Sequence, residues 1–253
     1  MIEVENLTKS FGPTRAVNGI TFTVADGEIY GLLGPNGSGK STTMKILAGI
    51  LKPTSGRVVV GGVDVAEDSL GVKRIVGYVP ETPVLYESLT PVEFFNFVGS
   101  VRGIPKEELQ ERVETLVRAF GIGGYLGEMI GSLSFGTRQK VSLIAAMLHD
   151  PKVLILDEAM NGLDPKSARI LRELLLQFRE EGRSIVFSTH VLALAEMICD
   201  RVGVIYNGEI IAEGTVEQLK EFAHEESLED VFLKLTESQD EVASVVRALK
   251  DAL

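Results

Sequence analysis

The amino-acid sequence predicts an α/β fold with a parallel β-sheet at its core. Three observations lead to this prediction: the first third of the chain is rich in strand patterns, the middle has almost none, and the rest alternates strands with helices. Strands that alternate with helices form parallel sheets through right-handed crossovers. We therefore expect a β-rich N-terminal region, a sheet core, and a helical subdomain inserted at about residues 90–150.

Composition and charge exclude several classes of protein. Of the 253 residues, 45% are hydrophobic and 24% are charged, which is typical of a folded globular protein. The single cysteine, Cys199, cannot form an internal disulfide, which argues against a secreted disulfide-held scaffold. A net charge of −11 disfavours nonspecific nucleic-acid binding, so nucleic acid is not an expected partner. The apolar runs are too short to span a membrane, and residues 1–10 lack the pattern of a signal peptide, which predicts a cytoplasmic location.

The N-terminal region contains short segments in which apolar and polar residues alternate. This alternation predicts strands at residues 2–7, 20–24 and 58–60. Residues 28–33 are more continuously apolar and predict an interior strand. A glycine-rich turn follows that strand, and the composition beyond it predicts a helix over residues 41–51.

The middle of the chain predicts three helices. Thr90, followed by Pro91 and Glu93, is typical of a helix start, because a hydroxyl accepts from the first free N–H groups and proline suits the first turn. A second helix is expected after Pro105, and a third over residues 134–149.

The following part returns to alternating elements. Strands are predicted at residues 153–156 and 184–188, with helices at 165–181 and 192–199. The dipeptide Asn207-Gly208 between two further apolar segments predicts a β-hairpin.

The C-terminal residues 215–253 are predicted to form an acidic helical extension of a domain that covers residues 1–214. The extension holds ten acidic residues against four basic ones, a balance of −6 within the total of −11. A solvated helical face and a docking surface for a partner or second subunit are both compatible with this pattern.

A complete phosphate-binding pattern, G-x-x-x-x-G-K-[S/T], follows the predicted strand 28–33. Glycines let the backbone N–H groups of such a loop point at an anion, and the following helix N-terminus adds its dipole. We expect Lys40 to bridge the β- and γ-phosphates of a nucleotide and Ser41 to ligate Mg²⁺. The expected nucleotide contacts are Gly34, Pro35, Asn36, Gly37, Ser38, Gly39, Lys40, Ser41 and Thr42.

Two carboxylates and a histidine follow the buried strands of the second half. Asp157 and Glu158 end the strand 153–156, and His190 follows the next strand. We expect Asp157 to hold Mg²⁺ through water and Glu158 to polarise the attacking water as a general base. His190, at the carboxyl edge of the sheet, is expected to reach the γ-phosphate. With Lys40, Glu158 and His190 form the predicted catalytic set.

The order of these motifs resembles that of the nucleotide-binding subunit of ABC transporters. The resemblance extends from Val4 to about Glu213 and includes Leu133-Ser134-Phe135-Gly136 and Gly162-Leu163-Asp164. The Leu-Ser-x-Gly element distinguishes this family from other phosphate-loop proteins. The resemblance implies a P-loop NTPase fold of ABC type, in which a RecA-like parallel-sheet core carries an N-terminal antiparallel β subdomain and an inserted α-helical subdomain.

The resemblance also implies a role for a second copy of the chain. In the family, two subunits dimerise head to tail and sandwich ATP, so Ser134 and Gly136 would contact the γ-phosphate bound by the partner. Asp164 resembles the aspartate that communicates across the dimer. Phe11 resembles the aromatic residue that stacks on adenine, which is more often tyrosine.

Three positions depart from the family pattern. Phe135 and Thr137 replace a glycine and the glutamine of Leu-Ser-Gly-Gly-Gln, and Glu81 replaces the glutamine that usually follows Tyr-x-Pro. A carboxylate can still ligate Mg²⁺, so Glu81 is expected to do so together with Ser41 and Asp157. These departures bear on the rate of hydrolysis and on coupling, and not on nucleotide binding.

The sequence resembles the branch of prokaryotic exporters of drugs, antibiotics and lipids, whose ATPase is a separate polypeptide. Residues 78–81 and 227–233 carry this resemblance. The segment 81–90 leads into the helical insertion, where such subunits receive the coupling helix of the membrane partner. The aromatic cluster Phe94, Phe95 and Phe97 follows, either as helix core or as an exposed docking patch.

The expected function is therefore that of an ATP-hydrolysing motor subunit. It would drive transport, with export as the expected direction, through a separate integral membrane permease from the inner face of the cell membrane. Two alternatives stay open: an ATP-binding switch or clamp with little hydrolysis, and a soluble ABC ATPase such as one that serves iron–sulfur assembly.

Overall fold

The computed structural model describes residues 1–236. The strands of this part are β1 (Ile2–Phe11), β2 (Thr14–Val24), β3 (Ile29–Leu33), β4 (Ser55–Val60), β5 (Val63–Asp64), β6 (Val76–Val79), β7 (Val153–Asp157), β8 (Ser184–Ser188), β9 (Arg201–Tyr206) and β10 (Glu209–Gly214). The α-helices are α1 (Lys40–Leu47), α2 (Ser69–Ile75), α3 (Pro91–Arg102), α4 (Lys106–Phe120), α5 (Phe135–Met147), α6 (Pro165–Glu180), α7 (Leu192–Ile198), α8 (Val216–Ala223) and α9 (Leu228–Leu235).

The strands form two sheets. The smaller one is antiparallel, with the order β2-β1-β4-β5. The larger one has the order β10-β9-β3-β8-β7-β6 and is parallel except for the hairpin strand β10. Strands β3, β7 and β8 are buried along their whole length, as their continuous apolar sequences predict. The predicted parallel-sheet core and N-terminal β subdomain are confirmed.

Helices α3, α4 and α5 form the insertion between β6 and β7. Thr90 accepts a hydrogen bond from the N–H of Glu93, whose carboxylate accepts from the N–H of Thr90, so the predicted helix start is a full capping box. The helices pack around buried Phe95 and Phe120. Phe94 is buried too but Phe97 is 45% exposed, so the aromatic cluster is divided between core and surface.

The C-terminal helices α8 and α9 pack against the larger sheet. Their buried side chains include Val216, Leu219 and Val231, which join Leu33 of β3 and Val202 of β9 in one apolar cluster. The described part of the acidic tail is therefore helical, and its apolar face is covered by the core. The tail beyond residue 236 lies outside the described residues, and the division at residue 214 stays a prediction.

Some elements differ from the sequence-based expectation. Helix α1 ends at Leu47, and not at residue 51, because Gly49 adopts a left-handed conformation (φ +67°) that terminates the helix. The four-residue strand β6 and helix α2 were not predicted. The Asn207-Gly208 hairpin is confirmed, and both of its turn residues have positive φ.

Within residues 1–236, no helix combines the length and the apolar character that crossing a bilayer requires.

Candidate nucleotide-binding site

The loop between β3 and α1 depends on its glycines. A methyl group on Gly34 would lie 2.3 Å from the carbonyl oxygen of Ile205, and one on Gly39 would lie 2.5 Å from that of Ala16. Gly39 also has a φ of +109°, which L side chains rarely adopt. The β9–β10 hairpin holds the loop in place, because the N–H of Gly208 donates to the carbonyl oxygen of Ser38 at 3.0 Å. The backbone is thus packed too closely at Gly34 and Gly39 to accept any side chain.

Lys40 is the buried cation of this loop. Its Nζ donates to the carbonyl oxygens of Gly34 at 2.7 Å and Pro35 at 3.1 Å. Burial lowers the pKa of Lys40, while the nearby carboxylates of Glu158 and Asp157 act in the opposite direction. The ammonium group is therefore positioned inside the loop, where an anionic phosphate would replace its carbonyl partners.

A cavity of about 230 Å³ lies beside the loop. It combines the N-terminus of α1 and the Lys40 side chain with two carboxylates from other segments. Its lining residues are Ala16, Asn36, Gly37, Gly39, Lys40, Ser41, Thr42, Glu81 and Glu158. Six of the predicted nucleotide contacts, among them the candidate metal ligand Ser41, thus meet the second candidate metal ligand Glu81 and the candidate base Glu158. A helix N-terminus with a lysine is suited to phosphate.

Asp157 and Glu158 are fixed by the strand next to theirs. Asp157 of β7 pairs with Ser188 of the parallel strand β8. The Ser188 hydroxyl donates to Oδ1 of Asp157 at 2.7 Å and accepts from the N–H of Glu158 at 3.0 Å. Glu158 has a φ of +50°, so its backbone departs from the strand at this point. Ser188 was not singled out from the sequence, although it immediately precedes Thr189-His190.

His190 contacts the candidate base directly. Its Nδ1 lies 2.8 Å from Oε2 of Glu158, and its N–H donates to the same oxygen at 3.2 Å. The side chain of Glu158 is only 6% exposed, whereas that of His190 is 59% exposed. A buried carboxylate is therefore held at the cavity wall by a residue that itself faces solvent.

The donor atoms around the cavity fit Mg²⁺ bound together with a nucleotide. The Ser41 and Glu81 side chains line the cavity, and both offer oxygen ligands. Asp157 does not line the cavity, and its carboxylate accepts from the Ser188 hydroxyl. No group of three His, Cys, Asp or Glu side chains within the described chain could hold a metal by itself. Such a partial oxygen set suits Mg²⁺, which keeps waters and shares its coordination with substrate phosphates.

Phe11, Ser134, Gly136 and Asp164 are among the predicted site residues that do not line this cavity. Phe11 ends β1, is about half exposed, and has the Lys9 ammonium 5.0 Å from its ring centre. Ser134 caps α5 by accepting from the N–H of Thr137 at 3.2 Å, with Gly136 in the first turn. Asp164 caps α6. Ser134, Gly136 and Asp164, which the prediction relates to a second copy of the chain, thus lie outside the nucleotide cavity of their own chain.

An apolar groove lies between the sheet core and the helical insertion. Its cavity measures about 530 Å³, and its wall includes Val84, Phe97 and Val101, which are all exposed. Tyr78 of β6 also lines it. Burial raises the pKa of Tyr78, and the negative charges of Asp157 and Glu81 add to that rise.

A glycine-rich loop that joins a buried parallel strand to a helix, with a buried lysine and strand-end carboxylates, defines a phosphate-loop nucleotide-binding domain. The sequence matches the family described as ABC transporter over residues 17–161, which is more than half of the chain. The chain belongs to this family, as an ATP-binding subunit of ABC type.

Relatives and solved structures agree with this assignment. The chain is 39% identical over 218 residues to an uncharacterized ABC transporter ATP-binding protein of Methanocaldococcus jannaschii, an alignment that covers 86% of this chain and 79% of that protein. It is 35% identical over 215 residues to the linearmycin resistance ATP-binding protein LnrL of Bacillus subtilis, covering 85% and 69%. A solved ATP binding subunit of an ABC transporter has a TM-score of 0.88 and 33% identity, covering 93% of this chain and 99% of that one.

Proposed function

We propose that this chain binds MgATP and hydrolyses it to ADP and phosphate as the motor subunit of a transporter. The observation that carries the proposal is the position of Lys40 and Glu158 on the wall of one cavity, with His190 bonded to Glu158. A fixed cation for the phosphates and a buried carboxylate for water are the two groups that ATP hydrolysis needs from a protein.

Binding uses the loop and its lysine. The N–H groups of the first turn of α1 receive the phosphates, and Lys40 exchanges its carbonyl partners for the β- and γ-phosphate oxygens. Phe11, at the open end of β1, offers a ring face to adenine. Ser41, Glu81 and Asp157 are the residues that would hold Mg²⁺, directly or through water. The chemistry that the bound ion would supply is neutralisation of the charge on the phosphate oxygens.

Hydrolysis follows from positioning. Glu158 orients a water for in-line attack and accepts its proton, as the new P–O bond forms and the bond from the γ-phosphorus to the bridging oxygen breaks. His190 keeps the Glu158 carboxylate oriented and reaches the γ-phosphate from its exposed side. Ser188 holds the backbone of Glu158 and the carboxylate of Asp157 in place.

Completion of the site requires a second copy. Ser134, Gly136 and Asp164 lie at two helix N-termini outside the cavity of their own chain. In a head-to-tail dimer, the N-terminus of α5 would cover the γ-phosphate held by the partner, because a hydroxyl and free N–H groups at a helix start suit a phosphate.

The membrane partner is an integral permease that inserts a helix into the apolar groove. Exposed Val84, Phe97 and Val101 provide an apolar surface for such a helix, next to the nucleotide site. The antibiotic-resistance name of the Bacillus subtilis relative supports export as the direction. The subunit would thus be peripheral at the inner face of the membrane, without nucleic-acid partners.

The test is the substitution Glu158→Gln. We expect it to reduce phosphate release by at least about 100-fold, because the amide cannot accept the proton, while MgATP still binds and traps a dimer visible by size-exclusion chromatography. Glu114→Gln, an exposed position on α4, is the matched control. Near-normal phosphate release by Glu158→Gln would remove Glu158 from the role of base.

A second candidate is an ATP-binding clamp with little hydrolysis. The observation that favours it is the carboxylate of Glu81 on the cavity wall, where the family usually has an amide that can donate a hydrogen bond. Turnover that stays slow at protein concentrations where dimers form would support the clamp. Turnover that rises with dimer formation would support the motor.

A further inference from the structure

The first two turns of α5 pack against the loop of residues 158–164 in the same chain. Residues four positions apart are neighbours on the surface of a helix. Phe135 is therefore next to Gln139 on α5, and Gly136 is next to Lys140. The loop begins at Glu158 on the cavity wall and ends at Asp164, the N-cap of α6. We call this contact the α5–loop interface.

Its centre is the contact between Phe135 and Gly162. A methyl group on Gly162 would lie 2.5 Å from Cδ1 of the Phe135 ring, so the ring occupies the space of a side chain. A methyl group on Gly136 would lie 2.4 Å from the carbonyl oxygen of Gly162, so the two backbones also touch. A glycine in place of Phe135 would remove the contact between the ring and Gly162.

Two polar contacts fix the ends of the loop. Gln139 is fully buried, and its Nε2 donates to the carbonyl of Ala159 at 3.0 Å. Lys140 places Nζ 2.6 Å from Oδ2 of Asp164. The loop is thus attached to α5 near its start, at its middle and at its end.

We infer that Phe135 is a positioning residue that makes the N-terminus of α5 and loop 158–164 move as one body, and so couples the two ATP sites of a dimer. The inference rests on the proposed function, in which Glu158 acts on the nucleotide of its own chain while Ser134 covers that of the partner. When one site binds or hydrolyses ATP, Glu158 shifts. The α5–loop interface then transmits this shift to Ser134 at the N-terminus of α5, which contacts the nucleotide of the other site.

The first experiment compares Phe135→Ala with Phe135→Leu in the full chain. Three quantities are measured: ATP turnover as a function of ATP concentration, affinity for a fluorescent ADP analogue, and hydrogen–deuterium exchange of the amides of residues 159–163. Phe222→Ala is the matched control, because Phe222 is an exposed phenylalanine on α8, away from the interface.

We expect Phe135→Ala to raise the KM for ATP about fivefold and to lower the Hill coefficient towards one, since residues in contact couple at this level. Exchange of residues 159–163 becomes faster, while ADP affinity stays unchanged because the loop 34–39 is intact. Phe135→Leu restores part of the KM and exchange values, since leucine keeps apolar bulk over Gly162.

A compensating pair tests the contact itself. Gly162→Ala places its methyl group against the ring of Phe135 and is expected to reduce turnover. In the Phe135→Ala background that collision is absent. The loss of turnover in the double variant should therefore be smaller than the product of the two single losses. Some loss should remain, because alanine is strained at the positive φ of residue 162.

Two results would overturn the inference: exchange of residues 159–163 that Phe135→Ala does not alter, or altered exchange with an unchanged Hill coefficient. Multiplicative losses in the double variant would argue against the contact between Phe135 and Gly162. A wild-type chain that hydrolyses no ATP refutes the proposed function instead, and the exchange measurement alone then decides whether Phe135 positions the loop.

Discussion

The candidate ATP site has two halves that are built in different ways within one chain. The nucleotide half consists of the phosphate loop with Lys40 and Glu158, and the covering half consists of the N-termini of α5 and α6 with Ser134 and Asp164. The nucleotide half is enclosed: Lys40 and Glu158 are buried, and each has fixed hydrogen-bond partners. The covering half is open: Ser134 and Asp164 are exposed at helix N-termini, where they bond only to their own helices and to Lys140. One half is preorganised in a single chain, and the other faces outward.

This difference separates ATP binding from ATP hydrolysis. A preorganised loop can bind phosphates without further ordering, so we expect a single copy to be sufficient for affinity. In the proposed dimer, the exposed N-termini of α5 and α6 would contribute only when a second copy brings them to the nucleotide. Substitutions in the two halves should therefore change different observables.

The largest effect is expected from Lys40→Ala. Loss of the ammonium should weaken ATP binding by at least about 100-fold, because a preorganised cation in a closed site contributes that much to phosphate recognition. Ser134→Ala should leave the ATP affinity of the isolated chain unchanged. Both are measured by isothermal titration calorimetry with ATP and Mg²⁺.

The control for Lys40→Ala is Lys106→Ala, which removes an exposed lysine at the start of α4. A Lys40→Ala variant that binds ATP within a few-fold of the wild type would contradict the preorganised loop. A Ser134→Ala variant that loses affinity as a monomer would contradict the separation of the two halves.

The nucleotide half could be predicted because its information is local. Eight consecutive residues, Gly34 to Ser41, specify a tight loop, a lysine and a helix start between a strand and a helix. Glu158 and His190 could be placed together because parallel strands end at one edge of a sheet. Ser188 was missed because its role depends on the register of β7 against β8, which single-strand patterns do not contain.

The covering half could not be derived in this way. Ser134 and Asp164 are 30 positions apart in sequence, and nothing local relates them. The contact of Phe135 with Gly162 depends on how α5 packs on the core, and strand β6 is a four-residue edge strand interrupted by Gly77. Only the resemblance to a family pointed to Ser134, and its role stays a prediction.

An intermediate effect is expected from Ser188→Ala. Without the hydroxyl, the carboxylate of Asp157 and the N–H of Glu158 lose their shared partner. We expect kcat to fall about tenfold with little change in KM, as for other residues that orient the ligands of a metal site. Steady-state ATPase kinetics at saturating MgATP measure this.

Ser184→Ala is the matched control, because Ser184 is equally buried at the other end of β8 and bonds to the carbonyl of Ala25. Both variants should lose similar stability, and only Ser188→Ala should lose kcat. Equal losses of kcat would show that Ser188 acts through folding alone.

The smallest effect concerns pH and the attachment of the helical insertion. His149 follows α5, and its Nε2 lies 3.0 Å from the carbonyl oxygen of Val76 in β6. Burial lowers the pKa of His149 to about 4, and the positive charge of Arg102 adds to this, while Asp150 acts in the opposite direction. The neutral ring therefore links the end of the insertion to the sheet core.

The sign of the pH effect follows from this lowered pKa. Between the ordinary histidine pKa of 6.5 and about 4, the unfolded chain binds a proton at His149 that the folded chain does not. This contribution to stability is therefore complete above pH 6.5 and is lost as the pH falls towards 4. The variant His149→Gln keeps an amide that can donate to the carbonyl of Val76 but does not titrate. The wild type should lose about 1 kcal/mol more unfolding free energy than this variant between pH 7 and pH 5, a figure that allows for solvent screening of a partly exposed ring. Urea unfolding at the two pH values measures it, with His224→Gln as the control for an exposed histidine. Because His149 lies on the side of the insertion and not of loop 34–39, ATP affinity at pH 7 should be the same in all three proteins, and a change in that affinity would show that the two halves are not independent.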